Sequence, residues 1–366
     1  MSQPSQTRID AIDVLRGLAL ALMLLVNNPG SWSAVYGPFL HADWHGLTPT
    51  DLVFPFFLFV VGASMACSLR GQIQHSGLPW LSVLKRSFLL CLIGFILQII
   101  PLDQTPDTWR IMGVLQRIGL CFLLVAIAIT ILKERWLILV CSLVLIAYWL
   151  LLLTAGSSPY SLESNLVRHV DMAILSSSHM WPGKGLAFDP EGLLSTIGAS
   201  ITVLSGYLVC VKVLQQKTKN QQIIQLLLVA FALLCIGLIW SLWHPINKNL
   251  WTGSFVLVSS AAACLSLALI IWMWRVSVFT PVLNGLKIYG SNPIFIYVAA
   301  WLFSVFLSRV TITVNQQTLS VQEWIFGCLQ NLMTAKLASL IYAIIFATLF
   351  YLVALVLYRK RIFIKL

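Results

Sequence analysis

The sequence predicts an all-α, polytopic integral membrane bundle of about ten transmembrane helices, forming one domain over residues 1–366. Hydrophobic residues make up 59% of the chain and charged residues only 10%, against about 25% charge in an ordinary soluble domain. Mean hydropathy is +0.90. Apolar runs of roughly 20 residues recur along the chain, long enough to cross the hydrocarbon layer as helices that satisfy their own backbone hydrogen bonds. They lack the two-residue alternation of barrel strands.

The first span, 12 to 28, has its apolar run after Arg8, Asp10, Asp13 and Arg16. That charged start, with no small-x-small cleavage site behind it, favours a retained helix over a signal peptide. The second, 51 to 69, opens on Thr48-Pro49-Thr50-Asp51, an ordinary helix start. Spans at 86 to 101, 111 to 132 and 136 to 154 follow, and a sixth, 191 to 211, begins at Asp189-Pro190-Glu191-Gly192, with proline at the first turn and an early acid. The remaining four are 223 to 243, 250 to 274, 282 to 305 and 335 to 358. Asn292-Pro293 inside the ninth marks a broken helix, which frees carbonyls and suggests a lined cavity.

With the N-terminus in the cytoplasm, 16 of the 23 Lys and Arg, from Arg8 and Arg16 to Arg361 and Lys365, fall on the cytoplasmic side. Seven (Arg110, Arg117, Arg168, Lys184, Lys248, Arg309 and Lys336) fall on the other. The positive-inside rule then puts both termini in the cytoplasm and requires an even number of spans. The three longest connections, 29 to 50, 155 to 190 and 306 to 334, lie on the far side, and polar and aromatic residues in two of them predict structured binding surface there.

The net charge of +11 is scattered in small clusters rather than a stripe, which speaks against a nucleic-acid partner. The eight cysteines sit in or beside apolar runs with no CxxC pair and read as small core residues, without a disulfide framework or zinc site. No metal is expected: the only HxxxH spacing, His41 and His45, flanks Trp44 in a loop.

Polar groups at membrane depth persist mainly where they are paired or line a wet cavity. Here they are Asn27 and Asn28, Asp51, Arg110 and Arg117, Asp189 and Glu191, Lys248 and Asn249, and Asn292. All but Asn292 fall in the far-side half, level with His41 and His45. An imidazole there can be a general base, a nucleophile or a metal ligand, or simply a loop histidine. Asp51 can be a helix cap or a catalytic group. Arg110 and Arg117, seven apart, are expected to share one face of the fourth helix and to need carboxylate partners or an anionic ligand. Trp251 and Tyr297 read as packing or interfacial residues.

The blocks Arg8-Ile9-Asp10-Ala11-Ile12-Asp13-Val14-Leu15-Arg16-Gly17, Val26-Asn27, His41-Ala42-Asp43-Trp44-His45-Gly46-Leu47-Thr48 and Asp51-Leu52-Val53-Phe54-Pro55 resemble the heparan-α-glucosaminide N-acetyltransferase family. So do Gly113-Val114-Leu115-Gln116-Arg117, Asp189-Pro190-Glu191-Gly192, Asn247-Lys248-Asn249-Leu250-Trp251 and Ser291-Asn292-Pro293. The chain resembles bacterial NagX-type members, which lack the extra lumenal domain of the lysosomal enzyme. The resemblance implies a multi-pass acetyltransferase of the bacterial inner membrane that takes acetyl from cytoplasmic acetyl-CoA to a glucosamine amine on the periplasmic side, and it suggests a homodimer. The family's active-site histidine matches His41 and its asparagine Asn27. The longer segment between them, with Asn28-Pro29, and His45 in place of an asparagine depart from the lysosomal pattern and bear on which sugar is accepted.

On this reading His41 deprotonates the amine or carries the acetyl group, Asn27 donates to the acyl oxygen, and Asp51 holds the imidazole. Arg16, Lys85, Arg86 and Lys287 are the candidate partners of the CoA phosphates. Trp44, His45, Arg117, Glu191, Lys248, Asn249 and Asn292 are candidates for the sugar site. The reading from another class is an inner-membrane transporter for N-acetylglucosamine or chitin-derived sugars.

Overall fold

The computed structural model describes residues 6–100, 105–314 and 316–364, with side chains from Asp10 onward. Arg8 and Lys365, counted above among the cytoplasmic cations, lie outside the described side chains. The helices are α1 (Gln6–Asn27), α2 (Val53–Ser76), α3 (Trp80–Ile99), α4 (Val114–Ile131), α5 (Glu134–Leu153), α6 (Leu166–Leu175), α7 (Thr196–Gln215), α8 (Lys219–Trp240), α9 (Gly253–Met273), α10 (Thr280–Tyr289), α11 (Pro293–Arg309), α12 (Val321–Gln330) and α13 (Ala335–Arg359). A hairpin of β1 (Thr311–Val314) and β2 (Gln317–Ser320) precedes α12, with Thr311 opposite Ser320. The chain is a polytopic α-helical membrane protein.

Among the described residues eight helices are long and apolar enough to cross a membrane: α2 to α5, α7 to α9 and α13. The ninth expected span is broken into α10 and α11, bent by 74° at Ser291-Asn292. Proline 293 cannot donate a helical hydrogen bond, and Asn292 leaves the helical region at φ −130°. The remaining expected span is α1, whose Asp10, Asp13 and Arg16 make it more charged than its neighbours, while Val14, Leu15, Ala19 and Leu20 on it are fully buried.

The helices sort into an inner and an outer set. The apolar stretch of α9 is 72% buried and those of α2 and α7 are each 67% buried, whereas α8 is only 17% buried and α5 only 22%. The outer helices turn leucine and isoleucine outward, as a lipid-facing layer requires. Two crossings are set by glycine pairs. A β-carbon on Gly62 would stand 1.7 Å from the Val203 carbonyl oxygen and one on Gly206 1.9 Å from that of Phe59, so α2 and α7 touch backbone to backbone. Gly17 and Gly290 do the same for α1 and α10, at 1.8 Å from the Leu286 oxygen and 2.2 Å from the Asp13 oxygen. Small residues at such contacts let helices approach where lipid supplies no hydrophobic drive between them.

Of the three long connections, 155–190 contains α6 and 306–334 contains the hairpin and α12. A reciprocal cap opens α12, with Ser320 N donating to Glu323 Oε2 at 2.8 Å and Glu323 N to Ser320 Oγ at 3.2 Å.

Candidate active site

The segment before α2 turns through a single 3₁₀ turn, Pro49–Leu52, and Asp51 caps it. One carboxylate oxygen, Oδ2, accepts from Thr48 N at 3.0 Å, Thr48 Oγ1 at 3.0 Å and Ala42 N at 3.1 Å. The other, Oδ1, lies 2.7 Å from Nδ1 of His41. The side chain of Asp51 is 2% exposed and that of His41 46%. The helix cap and the partner of the His41 ring are therefore the same group. An acceptor-only carboxylate keeps the proton on Nδ1, which leaves the Nε2 lone pair free.

Lys248 completes the cluster: its Nζ is 3.0 Å from Nδ1 and 3.4 Å from Nε2 of His41, and 3.6 Å from Asp51 Oδ1. A donor in line with one ring nitrogen would stand far from the other, so near-equal distances put the ammonium over the ring face. Burial is the largest influence on Lys248 and lowers its pKa, against the opposing pull of Asp51 and Glu191. The segment from 244 to 252 that carries it is tied to the His41 segment by Gly46 N donating to the Ile246 carbonyl at 2.8 Å and by Asn247 Nδ2 donating to His45 Nδ1 at 3.2 Å. Burial lowers the pKa of His45, which keeps that nitrogen an acceptor. Trp251 closes the same turn at φ +51° while 1% exposed, a left-handed conformation that a bulky side chain adopts only under constraint from its surroundings.

Beside this cluster, Arg110 holds the 189–192 turn. Its Nε and one Nη pair with both oxygens of Asp189 at 2.9 and 2.7 Å, and the same Nη reaches Glu191 Oε2 at 2.6 Å. The two carboxylates raise the Arg110 pKa against its burial, and the surrounding cations lower that of Glu191 against its own. Arg117 does not join this ion pair, and it does not share a helix face with Arg110, because α4 begins only at Val114. It is fully buried, donates to the Gly192 carbonyl at 2.9 Å and to Ser195 Oγ, and lies 5.2 Å from the Trp251 ring centre. Asp189 and Glu191 likewise do not head a helix: α7 starts at Thr196, and Asp189 Oδ1 accepts from Glu191 N at 2.9 Å to make a separate turn. The same residue types that start helices also make such turns, so the pattern misplaced both boundaries.

Two cavities lie end to end. The inner one, about 340 Å³, is lined by Arg16, Ser64, Ser68 and Arg86 at one end and by Met23, Val114 and Tyr297 at the other. The outer one, about 370 Å³, shares Met23, Val114 and Tyr297 and ends at Asn27, Asn28, Trp32 and Arg110. Together they follow α1 from Arg16 to Asn27 and α11 from Pro293 to Val305, a rise of roughly 17 Å in a hydrocarbon layer of roughly 30 Å. His41 lines neither. Its connection to the outer cavity runs through charges: Lys248 over its ring acts on Glu191, which bonds Arg110 at the cavity wall.

Of the expected phosphate partners, Arg16 and Arg86 line the inner cavity. Arg86 Nε is buried without a hydrogen-bond partner among the described residues. Lys85 points to the exterior of α3, and Lys287 is paired with Asp10 at 2.7 Å. Of the expected sugar residues, Trp44 donates to the Tyr160 carbonyl at 2.6 Å and packs edge-on against Phe188. Asn249 is nearly buried beside Lys248. Asn292 is fully buried and pins the C-terminal segment, donating to the Ile362 carbonyl at 3.0 Å and accepting from Ile364 N at 2.7 Å. Trp251 is packing, as expected, but Tyr297 divides the two cavities. Sequence reading missed Trp32, Gln98 and Trp301 in the outer cavity, since isolated residues in apolar runs leave no local pattern. Of the cysteines, Cys121, Cys210 and Cys264 are buried as expected, whereas Cys328 on α12 is exposed.

The family described as heparan-alpha-glucosaminide N-acetyltransferase, catalytic, matches residues 8–171, which include Asn27, His41, Asp51, Arg110 and Arg117. The heparan-alpha-glucosaminide N-acetyltransferase of Homo sapiens is 28% identical over 79% of this chain. That of Mus musculus is 27% identical over 99% of it. These alignments span 53% and 61% of the two relatives' own lengths. The chain is thus similar to the heparan-α-glucosaminide N-acetyltransferase family over residues 8–171 and to these two relatives along most of its own length.

Proposed function

We propose that the chain is an acetyl-CoA-dependent N-acetyltransferase of the bacterial inner membrane, with acetyl entering from the cytoplasm and a glucosamine-type amine accepting it on the periplasmic side. The observation that carries this reading is the His41 imidazole with Nδ1 committed to buried Asp51 and Nε2 approached by Lys248 Nζ at 3.4 Å, over the ring face. His41 Nε2 takes the proton as the amine nitrogen bonds to the acyl carbon, and CoA leaves as the C–S bond breaks. Alternatively Nε2 itself accepts the acetyl group and passes it on. Asn27, whose amide has no partner among the described residues, faces the outer cavity and supplies a neutral donor to the oxyanion. Lys248 holds Asp51 ionised and fixes the ring.

The donor's anionic end fits the inner cavity. Arg86 Nε is a buried orphan donor that a phosphate oxygen would satisfy, and Arg16 stands beside it. Both termini are cytoplasmic on this reading, with the inner cavity opening to that side.

Purified protein with acetyl-CoA and glucosamine tests it. His41→Ala is expected to lower turnover at least 100-fold, and Asp51→Asn roughly 10- to 100-fold. Undiminished turnover in His41→Ala contradicts the assignment. The discontinuous α10 and α11 pair is the one feature that favours transport of an intact sugar; uptake of labelled N-acetylglucosamine with no CoA released would establish that reading instead.

A further inference from the structure

The two cavities run toward each other from opposite ends. The inner one reaches the surface at Ser68, which is exposed, and the outer one at Trp32, 61% exposed. Met23, Val114 and Tyr297 line both and form the layer between them. Without that layer the cavities would join into one water-filled path along α1 and α11, and a continuous path of that kind passes protons down any gradient across the membrane.

The layer follows from helix faces. On α11, Pro293, Tyr297 and Trp301 recur every four residues and stack on one side; Pro293 lines the inner cavity, Trp301 the outer one, and Tyr297 both. Met23 holds the same level on α1, between Arg16 and Asn27. Tyr297 also packs against two separate apolar clusters, one that includes Leu20, Met23 and Ile296 and one of Leu90, Leu97 and Leu115. Its ring therefore bridges the gap that the cavities leave between them. Packing is what holds it, because the Tyr297 hydroxyl makes no hydrogen bond to another described residue, and Met23 beside it is an unbranched side chain with three rotatable bonds. A ring held in this way closes the gap at rest and is able to swing aside.

We propose that Tyr297 is the gate of this path: with Met23 and Val114 it makes a mostly apolar neck that stays dry when no ligand fills it. The chambers on either side, at about 340 and 370 Å³, are each large enough to hold part of a substrate. The gate's place in a reaction rests on the acetyltransferase reading: the ring gives way to the narrow arm of a CoA thioester, which fills the opening it enters, so that the acyl group passes without water or solutes passing beside it. The barrier itself does not depend on that reading, because permeation is measurable with no substrate present.

The experiment is proton flux into proteoliposomes that hold the full chain and an entrapped pH dye, after an external pH step and with no substrate present. The parent and Tyr297→Phe, which keeps the ring, are expected to stay tight, and Tyr297→Ala to leak at least tenfold faster. A misfolded chain also leaks, so a plug tells the two apart. Ser64→Cys puts a thiol on the wall of the inner cavity, and a bulky maleimide is expected to stop the leak of the double variant Tyr297→Ala with Ser64→Cys while leaving that of Tyr297→Ala alone unchanged. Tightness in Tyr297→Ala, an equal leak in Tyr297→Phe or the parent, or a leak that the plug does not stop would overturn the gate. A tight parent that transfers no acetyl group would leave the gate standing and remove the acetyltransferase reading.

Discussion

Asp51 shows how one side chain carries two duties that sequence pattern cannot separate. Its Oδ2 is saturated by Thr48 and Ala42, which fixes the turn, and that saturation leaves Oδ1 aimed at His41. Asp171 illustrates the opposite case. It is fully buried on α6, Oδ1 accepts from Leu193 N at 3.0 Å and Leu194 N at 3.2 Å, and Oδ2 has no partner among the described residues. Burial pushes its pKa up to about 6. A carboxyl that holds its proton more tightly when folded adds stability below its unfolded pKa of about 4, and that stability is lost as pH rises through about 6. Thermal unfolding in detergent should therefore show stability falling between about pH 4 and pH 6, by roughly 3 kcal/mol. Asp171→Asn should flatten that slope and raise the melting temperature at pH 7; an unchanged slope would contradict the burial argument.

At the scale of the elements, the spans were legible because lipid enforces them: a run of apolar residues with few charges has almost no other stable fate. Their ends were less so. Thr48-Pro49-Thr50-Asp51 does lead into a helix, by way of a 3₁₀ turn, but Asp189-Pro190-Glu191-Gly192 has the same chemistry and makes a turn held by Arg110 from 79 residues away. Only tertiary contact distinguishes the two. The break at Asn292-Pro293 was readable from proline's missing donor, while the use of Asn292 to anchor Ile362 and Ile364 was not. Helix crossings make a sharp prediction. Gly62→Ala should destabilise the protein by several kcal/mol, since the added carbon meets the rigid Val203 carbonyl. Gly71→Ala on the same helix meets nothing within 4 Å and should stabilise by up to about 1 kcal/mol. Equal effects of the two substitutions in thermal unfolding would refute the backbone contact.

For the molecule as a whole, the inner helices α2, α4, α7 and α9 form a packed frame, and the cavities lie at one side of it between α1, α2, α3, α4 and α11. Charge bias predicts which end faces the cytoplasm, and the exposed thiol of Cys328 on α12 reports on the other. A membrane-impermeant maleimide added to intact cells should label Cys328, and Cys328→Ser should remove most of the signal; labelling only after lysis would invert the topology. The composition of the outer cavity was invisible in the sequence, because Trp32, Gln98 and Trp301 come from three separate segments that meet only in the fold.

The central claim is that acetyl crosses the membrane at His41 while its carrier stays behind. Sealed vesicles with acetyl-CoA on the cytoplasmic face only and glucosamine on the opposite face only measure this directly. The account predicts N-acetylglucosamine on the glucosamine side, CoA retained on its own side, and at least a 100-fold loss of product in His41→Ala. Product formed at the parental rate by His41→Ala, or glucosamine carried across unacetylated, would contradict it.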